Sequence, residues 1–297
     1  MKVLAVINPF AGRGKVKRHL DLLHKIFKDN HIKPEWFVSA YPHHPWHALK
    51  EMNLKKYDAV VAIGGDGTLF DTVNGLMHHA DKKPLGIIPL GTGNSFIKDL
   101  APDHFKLQDY VALLKEGRLR KIDLGKVYTN KHSFYFINMM GFGFTTDVSI
   151  RGMKFRRFGK HAYSLAVLRE LFGLKKYPLV MHYENKIHMM NNVFVAISNS
   201  RYAGGKFLMA PDAEISDGKL EVLIVNNIGR MELLKTFPKI FSGTHIHHPD
   251  TSYFKVSSIS FESPGHSKLL APDGEIIGRL PVKINIVPKI LEVFSVD

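Results

Sequence analysis

The sequence contains no cysteine, and this absence excludes disulfide bonds and thiolate metal sites. Long hydrophobic runs are also missing, because no segment approaches the ~20 apolar residues of a membrane-spanning helix. An apolar, strand-like run already begins at Val3, which leaves no room for a signal peptide. Since 45% of the 297 residues are hydrophobic, we expect a globular, soluble and cytoplasmic protein of one or two domains.

Acidic residues are scarce relative to basic ones, with 27 Asp and Glu against 41 Lys and Arg and a net charge of +14. Such a surface attracts nucleic acid, anionic membranes and phosphorylated ligands. The usual nucleic-acid-binding motifs are missing, so we expect no nucleic-acid partner. Residues 151–161 interleave basic and apolar side chains: Arg151, Lys154, Arg156, Arg157, Lys160 and His161 with Met153, Phe155 and Phe158. This cluster suits either peripheral contact with an anionic membrane or a solvated loop.

The first third of the chain alternates apolar strands with helical patterns. The predicted strands are Val3–Ile7, Trp36–Ala40, Ala59–Ile63 and Leu85–Pro89. This alternation predicts an α/β domain with a parallel sheet and right-handed crossovers.

After about Lys121 strands dominate, which predicts a second, β-rich domain. The strands are Lys126–Tyr128, Ser133–Asn138, Leu179–Tyr183, Val193–Ser198, Leu220–Val225, Lys255–Phe261 and Val282–Val287. Helices are predicted over Ala162–Phe172 and Met231–Phe241.

The most informative segment is Val60–Leu69, in which a β-branched strand ends in Gly64, Gly65, Asp66, Gly67 and Thr68. Glycines allow a phosphate to approach backbone N–H groups without a β-carbon in the way. An aspartate in such a loop indicates a divalent cation or an ordered water beside the phosphate. Taken alone, the motif is also compatible with an ordinary tight turn, and it is not a Walker A loop.

Further glycine loops follow the first and fourth strands, over Asn8–Lys15 and Pro89–Phe96. Because ligands bind beyond the carboxyl ends of parallel strands, we expect the three loops to converge on one crevice. Two Asp-Gly turns come later, in Pro211–Leu220 and Ala271–Glu275. Each turn by itself is typical of a hairpin or a plain β-turn.

In this order, the motifs resemble those of the diacylglycerol kinase catalytic-domain family, which includes soluble bacterial lipid kinases and the sphingosine and ceramide kinases. The resemblance covers essentially the whole chain. It implies a nucleotide-binding α/β domain over residues 1–123, related to NAD kinases and phosphofructokinases. It also implies a β-rich, sandwich-like lipid-binding domain over 124–281, a return of 282–297 to the first domain, and an active site between the domains.

The resemblance implies roles for individual residues. ATP would bind to the three glycine loops, at Asn8, Gly12, Gly64, Gly65, Asp66, Gly67, Thr68, Gly91, Thr92 and Asn94. Asp123 would join Asp66 in a Mg²⁺ and water network, and Asp217 would hold a structural Mg²⁺ with backbone carbonyls near Glu214 and Lys219. Glu275 would be the general base beside Asp273, so that Glu275, Asp66 and Asp273 form the predicted catalytic set.

One position departs from the family pattern. Many bacterial diacylglycerol kinases carry an aspartate where this chain has Ser95, whereas the sphingosine-kinase branch carries small residues there. A serine can hold a water but has no charge, so the Mg²⁺ network would differ. This difference weakens the case for diacylglycerol as the acceptor without weakening the case for a lipid.

We therefore expect an ATP- and Mg²⁺-dependent kinase that phosphorylates a lipid hydroxyl, foremost diacylglycerol to phosphatidate, by in-line transfer. The alternatives are a kinase for a sphingoid or other lipid, an NAD kinase, or a lipid-binding module without catalysis. Asn8 before its glycine loop, and Asn94 followed by Ser95 and Phe96, argue against an NAD kinase. The intact Asp66, Asp123 and Glu275 argue against lost catalysis. A homodimer is left open.

Histidines form two sequence clusters that lack carboxylates at a zinc-binding spacing. They are His43, His44 and His47, and His245, His247 and His248. We expect a surface or loop position for both clusters.

Overall fold

The computed structural model describes residues 1–155 and 162–296. The chain divides into two compact units. The first unit comprises Met1–Leu124, Ile215–Asp217 and Val287–Asp297, and the second comprises Gly125–Glu214 and Gly218–Ile286. Within the described ranges, no helix is both long enough and apolar enough to cross a membrane.

The α-helices are α1 (Ala11–Arg18), α2 (Leu20–Asp29), α3 (His44–Glu51), α4 (Asp66–Leu76), α5 (Leu107–Glu116), α6 (Phe144–Lys154), α7 (Ala162–Phe172) and α8 (Arg230–Thr236). The strands are β1 (Lys2–Ile7), β2 (Lys33–Val38), β3 (Ala59–Gly64), β4 (Leu85–Pro89), β5 (Leu119–Thr129), β6 (Ser133–Phe136), β7 (Met139–Gly143), β8 (Tyr177–Tyr183), β9 (Lys186–Asn192), β10 (Phe194–Ser198), β11 (Tyr202–Ala203), β12 (Phe207–Leu208), β13 (Leu220–Val225), β14 (Thr251–Val256), β15 (Ser258–Glu262), β16 (Leu270–Pro272) and β17 (Val282–Phe294).

The first unit is built on parallel strands in the order β2-β1-β3-β4. Every residue of β3 is buried, as expected for an inner parallel strand whose two faces are both covered. Helix α2 forms because Leu23, Ile26 and Phe27 recur on one face and are buried there. These side chains pack against strand residues such as Val61 and Ile88 in a common core, where each fully buried one contributes about 1.5–3 kcal/mol.

The C-terminal segment completes the first unit. Val293 of β17 pairs in parallel with Leu85 of β4. The backbone N–H of Ser295 also donates to the carbonyl of Arg118, with a distance of 3.2 Å. Residues more than 170 positions apart along the chain therefore share one folded unit.

The second unit consists mainly of antiparallel strands. One sheet has the order β14-β13-β10-β7-β16. A second antiparallel set joins β9, β8, β15 and the first part of β17. The rings of Phe142 in β7 and Phe261 in β15 lie 5.3 Å apart in an edge-to-face arrangement, so the two sets of strands pack on each other.

The predicted fold class, a parallel α/β part followed by a β-rich sandwich part, is confirmed. Several predicted elements differ in detail. The single strand predicted over Lys255–Phe261 is two strands, β14 and β15, which belong to different sheets. The helix predicted over Met231–Phe241 changes at Phe237 to a 3₁₀-helix, where Pro238 removes one backbone donor.

Among the elements that the sequence did not predict, four have weak local sequence signals. Strand β7 contains two glycines, β9 has the polar sequence KIHMMNN, and β16 has three residues. Helix α6 carries two threonines in its first turn and a glycine near its end, and these residues favour helix poorly.

Candidate functional site

The glycine loops that follow β1, β3 and β4 meet in the first unit through direct backbone packing. A β-carbon built on Gly12 would lie 2.1 Å from the carbonyl oxygen of Leu90. A β-carbon built on Gly91 would lie 2.3 Å from the Cα of Gly65. Both distances are shorter than any van der Waals contact, so only glycine permits this approach.

Backbone hydrogen bonds fix the same convergence. The N–H groups of Leu90 and Gly91 both donate to the carbonyl of Gly64, each over 2.8 Å. The N–H of Asn8 donates to the carbonyl of Ile63 over 3.4 Å, and the side chain of Asn8 accepts from the N–H of Phe10 over 3.0 Å. The predicted convergence of the three loops is thus present in the structure.

Asp66 begins helix α4, directly after the Gly64–Gly65 turn. Its carboxylate accepts a hydrogen bond of 2.8 Å from the backbone N–H of Ser95. Burial raises the pKa of Asp66, and the hydrogen bonds from Ser95 and Asn94 oppose that rise. The N-terminus of this 11-residue helix has no side-chain cap and carries partial positive charge, as sites for phosphate do.

Asn94 shapes the third loop with its own side chain. It adopts a left-handed backbone conformation with φ of 53°. Its amide oxygen accepts from the N–H of Gly91 over 2.9 Å, and its amide nitrogen donates to the carbonyl of Gly91 over 3.1 Å. Thr92, between these residues, is exposed.

A small cavity of about 10 Å³ lies among these loops, and its lining includes Gly64, Gly65, Asp66 and Asn94. The glycines and the α4 N-terminus fit a phosphate-bearing ligand such as ATP. Over residues 1–155 and 162–296, no three His, Asp or Glu side chains are grouped to hold a metal. Mg²⁺ commonly takes one or two carboxylates and completes its shell with water and substrate phosphates, so Asp66 suits this kind of site.

Asp123 lies fully buried in β5 and ties the first unit together. Its carboxylate accepts a 2.7 Å hydrogen bond from the N–H of Lys289 in β17, and its own N–H donates to the carbonyl of Ile215 over 2.7 Å. Asp217 is exposed in the neighbouring segment, which clusters with the first unit. The Mg²⁺ roles of Asp123 and Asp217 remain predictions.

Asp273 and Glu275 lie in a tight turn of the second unit. The N–H of Glu275 donates to the carbonyl of Pro272 over 2.8 Å, and φ is positive at both central residues, 46° at Asp273 and 87° at Gly274. Turns of this kind favour aspartate and glycine because these residues tolerate left-handed backbone. The sequence Asp-Gly-Glu therefore both forms the turn and places Glu275 at its end.

The Asp273 carboxylate accepts three backbone hydrogen bonds and is buried. The donors are the N–H groups of Ile137, Asn138 and Met139, at 2.9–3.0 Å. These bonds join the turn to the start of β7. They favour a positioning role for Asp273, while its predicted catalytic role and that of Glu275 remain predictions.

The second unit also contains an apolar pocket of about 60 Å³ that the sequence did not predict. It is lined by Phe144, Thr145, Val148, Val167, Phe194, Met209, Val225, Ile228, Leu233, Thr236, Phe237, Ile240, His245 and Thr251. Helix α6 contributes part of the wall and was itself missed. Part of this lining could have been recognised from the spacing of Leu233, Phe237 and Ile240, because residues at positions i, i+4 and i+7 share one face of a helix.

The basic cluster predicted over residues 151–161 lies largely outside the described residues. Its beginning belongs to helix α6, so the alternative of a solvated loop is wrong for residues 151–154. Arg151 forms a 2.6 Å ion pair with Glu170, which neutralises part of the cluster's charge.

The histidine clusters differ from expectation in one respect. His245 and His248 are buried, at 6% and 8% exposure, because they pack against Met209 and Glu232. A surface position is therefore wrong for these two residues, whereas the alternative of a loop position holds for His248. His43 lies 2.8 Å from the carboxylate of Asp71 and links α3 to α4.

Two family models match the chain. The diacylglycerol kinase catalytic domain matches residues 2–127, and the YegS C-terminal NAD kinase beta sandwich-like domain matches residues 139–295. The chain is 26% identical to sphingosine kinase 1 of Arabidopsis thaliana, over 94% of this chain and 69% of that protein. It is 29% identical to a diacylglycerol kinase of Mycobacterium tuberculosis (strain CDC 1551 / Oshkosh), over 98% of this chain and 94% of that protein.

A solved structure gives an independent comparison of the fold. The crystal structure of a candidate diacylglycerol kinase from Bacillus anthracis str. Sterne superposes with a TM-score of 0.82 over 99% of this chain and 95% of that one. Its sequence identity is 24%, so this likeness concerns the fold alone. Since the two family models together account for most of the sequence, the chain belongs to the diacylglycerol kinase catalytic-domain family.

Proposed function

We propose that this protein is a lipid kinase that uses ATP and Mg²⁺ to phosphorylate the hydroxyl of a membrane-derived lipid, with diacylglycerol as the acceptor and phosphatidate as the product. Membership of the family supports kinase activity with ATP as donor. Relatives named diacylglycerol kinase and sphingosine kinase support a lipid as acceptor.

The observation that carries the proposal is the packing of three glycine loops around Asp66. Phosphoryl transfer requires positioning of the phosphates and neutralisation of their charge rather than covalent chemistry by the protein. The contacts of Gly12 with Leu90 and of Gly65 with Gly91 hold the loops in place before a ligand arrives. The phosphates of ATP would lie against these loops and the N-terminus of α4.

We assign Asp66 to Mg²⁺ binding. Asp123, which belongs to the same unit, would join Asp66 in the network of carboxylates and water around the ion. The ion, when bound, neutralises phosphate charge and orients the phosphoryl group. The Ser95 N–H holds the carboxylate of Asp66 in one orientation, so the position of the carboxylate does not depend on the ion. Asp217 remains assigned to a separate structural Mg²⁺.

Glu275 is the general base of the proposed reaction. The attacking lipid hydroxyl must lose its proton, and a carboxylate within hydrogen-bond reach accepts it. Asp273 would position Glu275, because three backbone donors hold the turn that carries both residues.

The apolar pocket of the second unit is the site that we assign to the hydrocarbon chain of the lipid. Its wall comes from the helices α6, α7 and α8 and from the sheet that contains β10 and β13. The lining of this pocket is mainly apolar, as it is in sites for apolar small molecules.

Exposed apolar side chains beside this pocket support peripheral contact with an anionic membrane. They lie on α7, α8 and the following 3₁₀-helix: Leu165, Leu168, Phe172, Met231, Leu234 and Phe241. Exposed Lys235 and Lys239 lie among them. Apolar side chains next to cations bind the interface of an anionic bilayer, as do peripheral amphipathic helices.

A sphingoid lipid is the second candidate acceptor, and Ser95 is the observation that favours it. Ser95 is buried with 1% exposure and contacts Asp66 through its backbone N–H. It therefore adds no negative charge to the Asp66 site, as in the sphingosine-kinase pattern.

The test is incubation of the protein with ATP labelled at the γ-phosphate, Mg²⁺ and a total lipid extract, followed by mass identification of every labelled product. Labelled phosphatidate supports the proposal, and a labelled sphingoid phosphate supports the second candidate. Label in NADP after addition of NAD, or lipid binding without any labelled product, contradicts the proposal and favours an NAD kinase or a module without catalysis.

A further inference from the structure

A network of buried polar groups lies behind the Asp-Gly-Glu turn of the second unit. Strand β10 ends at Ser198, and the next two residues, Asn199 and Ser200, are each only 1% exposed. Asn138, in the bend between β6 and β7, is 4% exposed. Because buried polar side chains are expected to form hydrogen bonds, their partners indicate what these residues do.

The segment Asn199–Ser200 holds the bend between β6 and β7. The backbone N–H groups of both its residues donate to the carbonyl of Asn138, over 2.8 and 3.2 Å. Nδ2 of Asn199 donates to the carbonyl of Ile137 over 2.8 Å, and the hydroxyl of Ser200 donates to Oδ1 of Asn138. Ile137 and Asn138 lie outside the strands, and these bonds supply partners for their carbonyl groups.

The same bend holds Asp273. The N–H groups of residues 137–139 donate to its carboxylate, and its own N–H donates to the carbonyl of Met139 over 2.7 Å. Glu275 follows two positions later, at the end of the turn. The backbone that carries Glu275 is therefore held by the bend, and the bend is held by Asn199–Ser200.

Indirect support of this kind affects rate because a general base acts only within hydrogen-bond reach of the proton that it accepts. A displacement of about 1 Å can lower a rate about 100-fold. We propose that Asn199 and Ser200 are positioning residues for phosphoryl transfer, which fix the bend and Asp273 and thereby place the carboxylate of Glu275 against the lipid hydroxyl. This inference rests on the proposed function, because it takes Glu275 as the base.

Rates of label transfer from ATP to the best lipid acceptor test whether Asn199 acts through Glu275. Asn199→Ala should lower kcat by about 10–100-fold. It should leave the KM for ATP within about twofold of the wild type, because the glycine loops belong to the first unit. The double variant Asn199→Ala and Glu275→Gln should match Glu275→Gln alone within about twofold, since a missing base cannot be misplaced. A merely structural fault would instead multiply the two losses.

Asn192→Ala is the matched control. Asn192 is a fully buried amide of the same unit at the end of β9, and its Nδ2 donates to the carbonyl of Tyr177 over 3.4 Å. The control should lose stability but keep kcat within about twofold of the wild type. Ser200→Ala removes only the hydroxyl bond to Asn138, so it is the milder second variant if Asn199→Ala does not fold. Its kcat should fall about five- to tenfold, the value of one hydrogen bond.

Exchange of backbone N–H hydrogens, measured by mass spectrometry, tests the same link without catalysis. Peptides that contain residues 137–139 and 272–276 should exchange about five- to tenfold faster in Asn199→Ala and Ser200→Ala than in the wild type. A peptide that contains residues 64–68 should exchange at the wild-type rate.

Three results would overturn the inference: unchanged exchange at residues 272–276, losses that multiply in the double variant, or an equal loss of kcat in Asn192→Ala. A wild type that labels no lipid contradicts the proposed function instead. The exchange rates then decide by themselves whether Asn199 and Ser200 hold the turn that carries Glu275.

Discussion

Asp66 is placed where folding and ligand binding make opposite demands. The loops after β3 and β4 bury its carboxyl group and raise its pKa, so the charged form is disfavoured in the folded protein without a cation. The N–H of Ser95 recovers part of this cost through one hydrogen bond. A bound cation would remove the remaining free-energy cost of burying this charged carboxylate. Functional sites commonly lower the stability of the folded protein in this way.

The first prediction concerns the pH dependence at Asp66. Below about pH 3.8, its ordinary pKa, the group is protonated in both states and has no effect. As the pH rises, the carboxyl group of Asp66 loses its proton in the unfolded chain at a lower pH than in the folded protein. The free energy of unfolding therefore falls, and it is lowest above the raised pKa. Asp66→Asn should therefore unfold at a higher temperature than the wild type at about pH 7, with no difference near pH 3.

Two controls belong to this measurement. Asp81→Asn changes an exposed carboxylate of the same unit, with 80% side-chain exposure, and should give no gain. Excess Mg²⁺ with ATP should stabilise the wild type more than Asp66→Asn. A variant less stable than the wild type at neutral pH would contradict the account of Asp66.

The second prediction separates the two carboxylates of the Asp-Gly-Glu turn. Asp273→Ala leaves three backbone N–H groups without their acceptor, so it should lower the free energy of unfolding by about 3 kcal/mol, measured with urea. Glu275→Gln should leave that free energy within about 0.5 kcal/mol of the wild type. Loss of activity without loss of stability in Asp273→Asn would instead favour a direct catalytic role for Asp273.

At this scale, the sequence singled out candidate residues but gave no information about their hydrogen-bond partners. Asp273 was recognised from its neighbours in the chain, but its three donors lie 134–136 positions earlier and carry no side-chain signal. The same holds for Asp123, whose partner is the backbone of Lys289. Backbone donors at long range are invisible in a sequence because every residue except proline has one.

Among the elements, the three glycine loops are the feature that the sequence predicted best. Parallel strands end at one edge of a sheet, so loops after β1, β3 and β4 must be neighbours whatever their exact contacts. The close approach of Gly91 to Gly65 could not be read from the sequence, since a glycine there is equally compatible with a ligand or a turn. Helix α6 was missed because its residues favour helix weakly and tertiary packing stabilises it.

The third prediction tests this loop packing. Gly91→Ala forces a β-carbon to within 2.3 Å of the backbone of Gly65, so the loops must separate. We expect a loss of about 1–3 kcal/mol in the free energy of unfolding and a higher KM for ATP. Gly229→Ala is the matched control, because nothing lies within 4 Å of the added carbon, and it should change both quantities little.

If Gly91→Ala were as stable as the wild type and bound ATP equally well, the close packing of the loops would have no functional role. A raised KM with unchanged stability would indicate instead that the added methyl group blocks the nucleotide directly.

The whole molecule carries a net charge of +14, and this excess is a property that no single element explains. A positive charge of this size suits a protein that binds a negatively charged surface. Each Lys or Arg near an anionic bilayer contributes about 1 kcal/mol to the free energy of membrane binding. The sequence predicted this attraction but not its location, because exposure of an apolar residue depends on the fold. Phe172 and Met231, which are 75% and 68% exposed, mark the location that we propose.

The fourth prediction concerns membrane binding. The wild type should sediment with anionic vesicles, and this binding should weaken as salt is added. The double variant Phe172→Ser and Met231→Ser should bind about a hundredfold less, because two inserted apolar side chains are lost. Met189→Ser is the control, since Met189 is 79% exposed on β9, away from α7 and α8 in the sequence, and this variant should bind as the wild type does. Equal binding of all three proteins would exclude the proposed surface.

The central claim is that this chain transfers the γ-phosphate of ATP to a lipid hydroxyl with Glu275 as the base. The most direct measurement is the rate of label transfer from ATP to purified diacylglycerol in mixed micelles, compared between the wild type, Glu275→Gln and the control Glu262→Gln, which alters an exposed glutamate of the same unit. We predict labelled phosphatidate from the wild type and from Glu262→Gln, and a kcat lower by about 10²–10⁴-fold in Glu275→Gln, with unchanged thermal unfolding. No labelled lipid from the wild type, or a Glu275→Gln variant as active as the wild type, would contradict the claim.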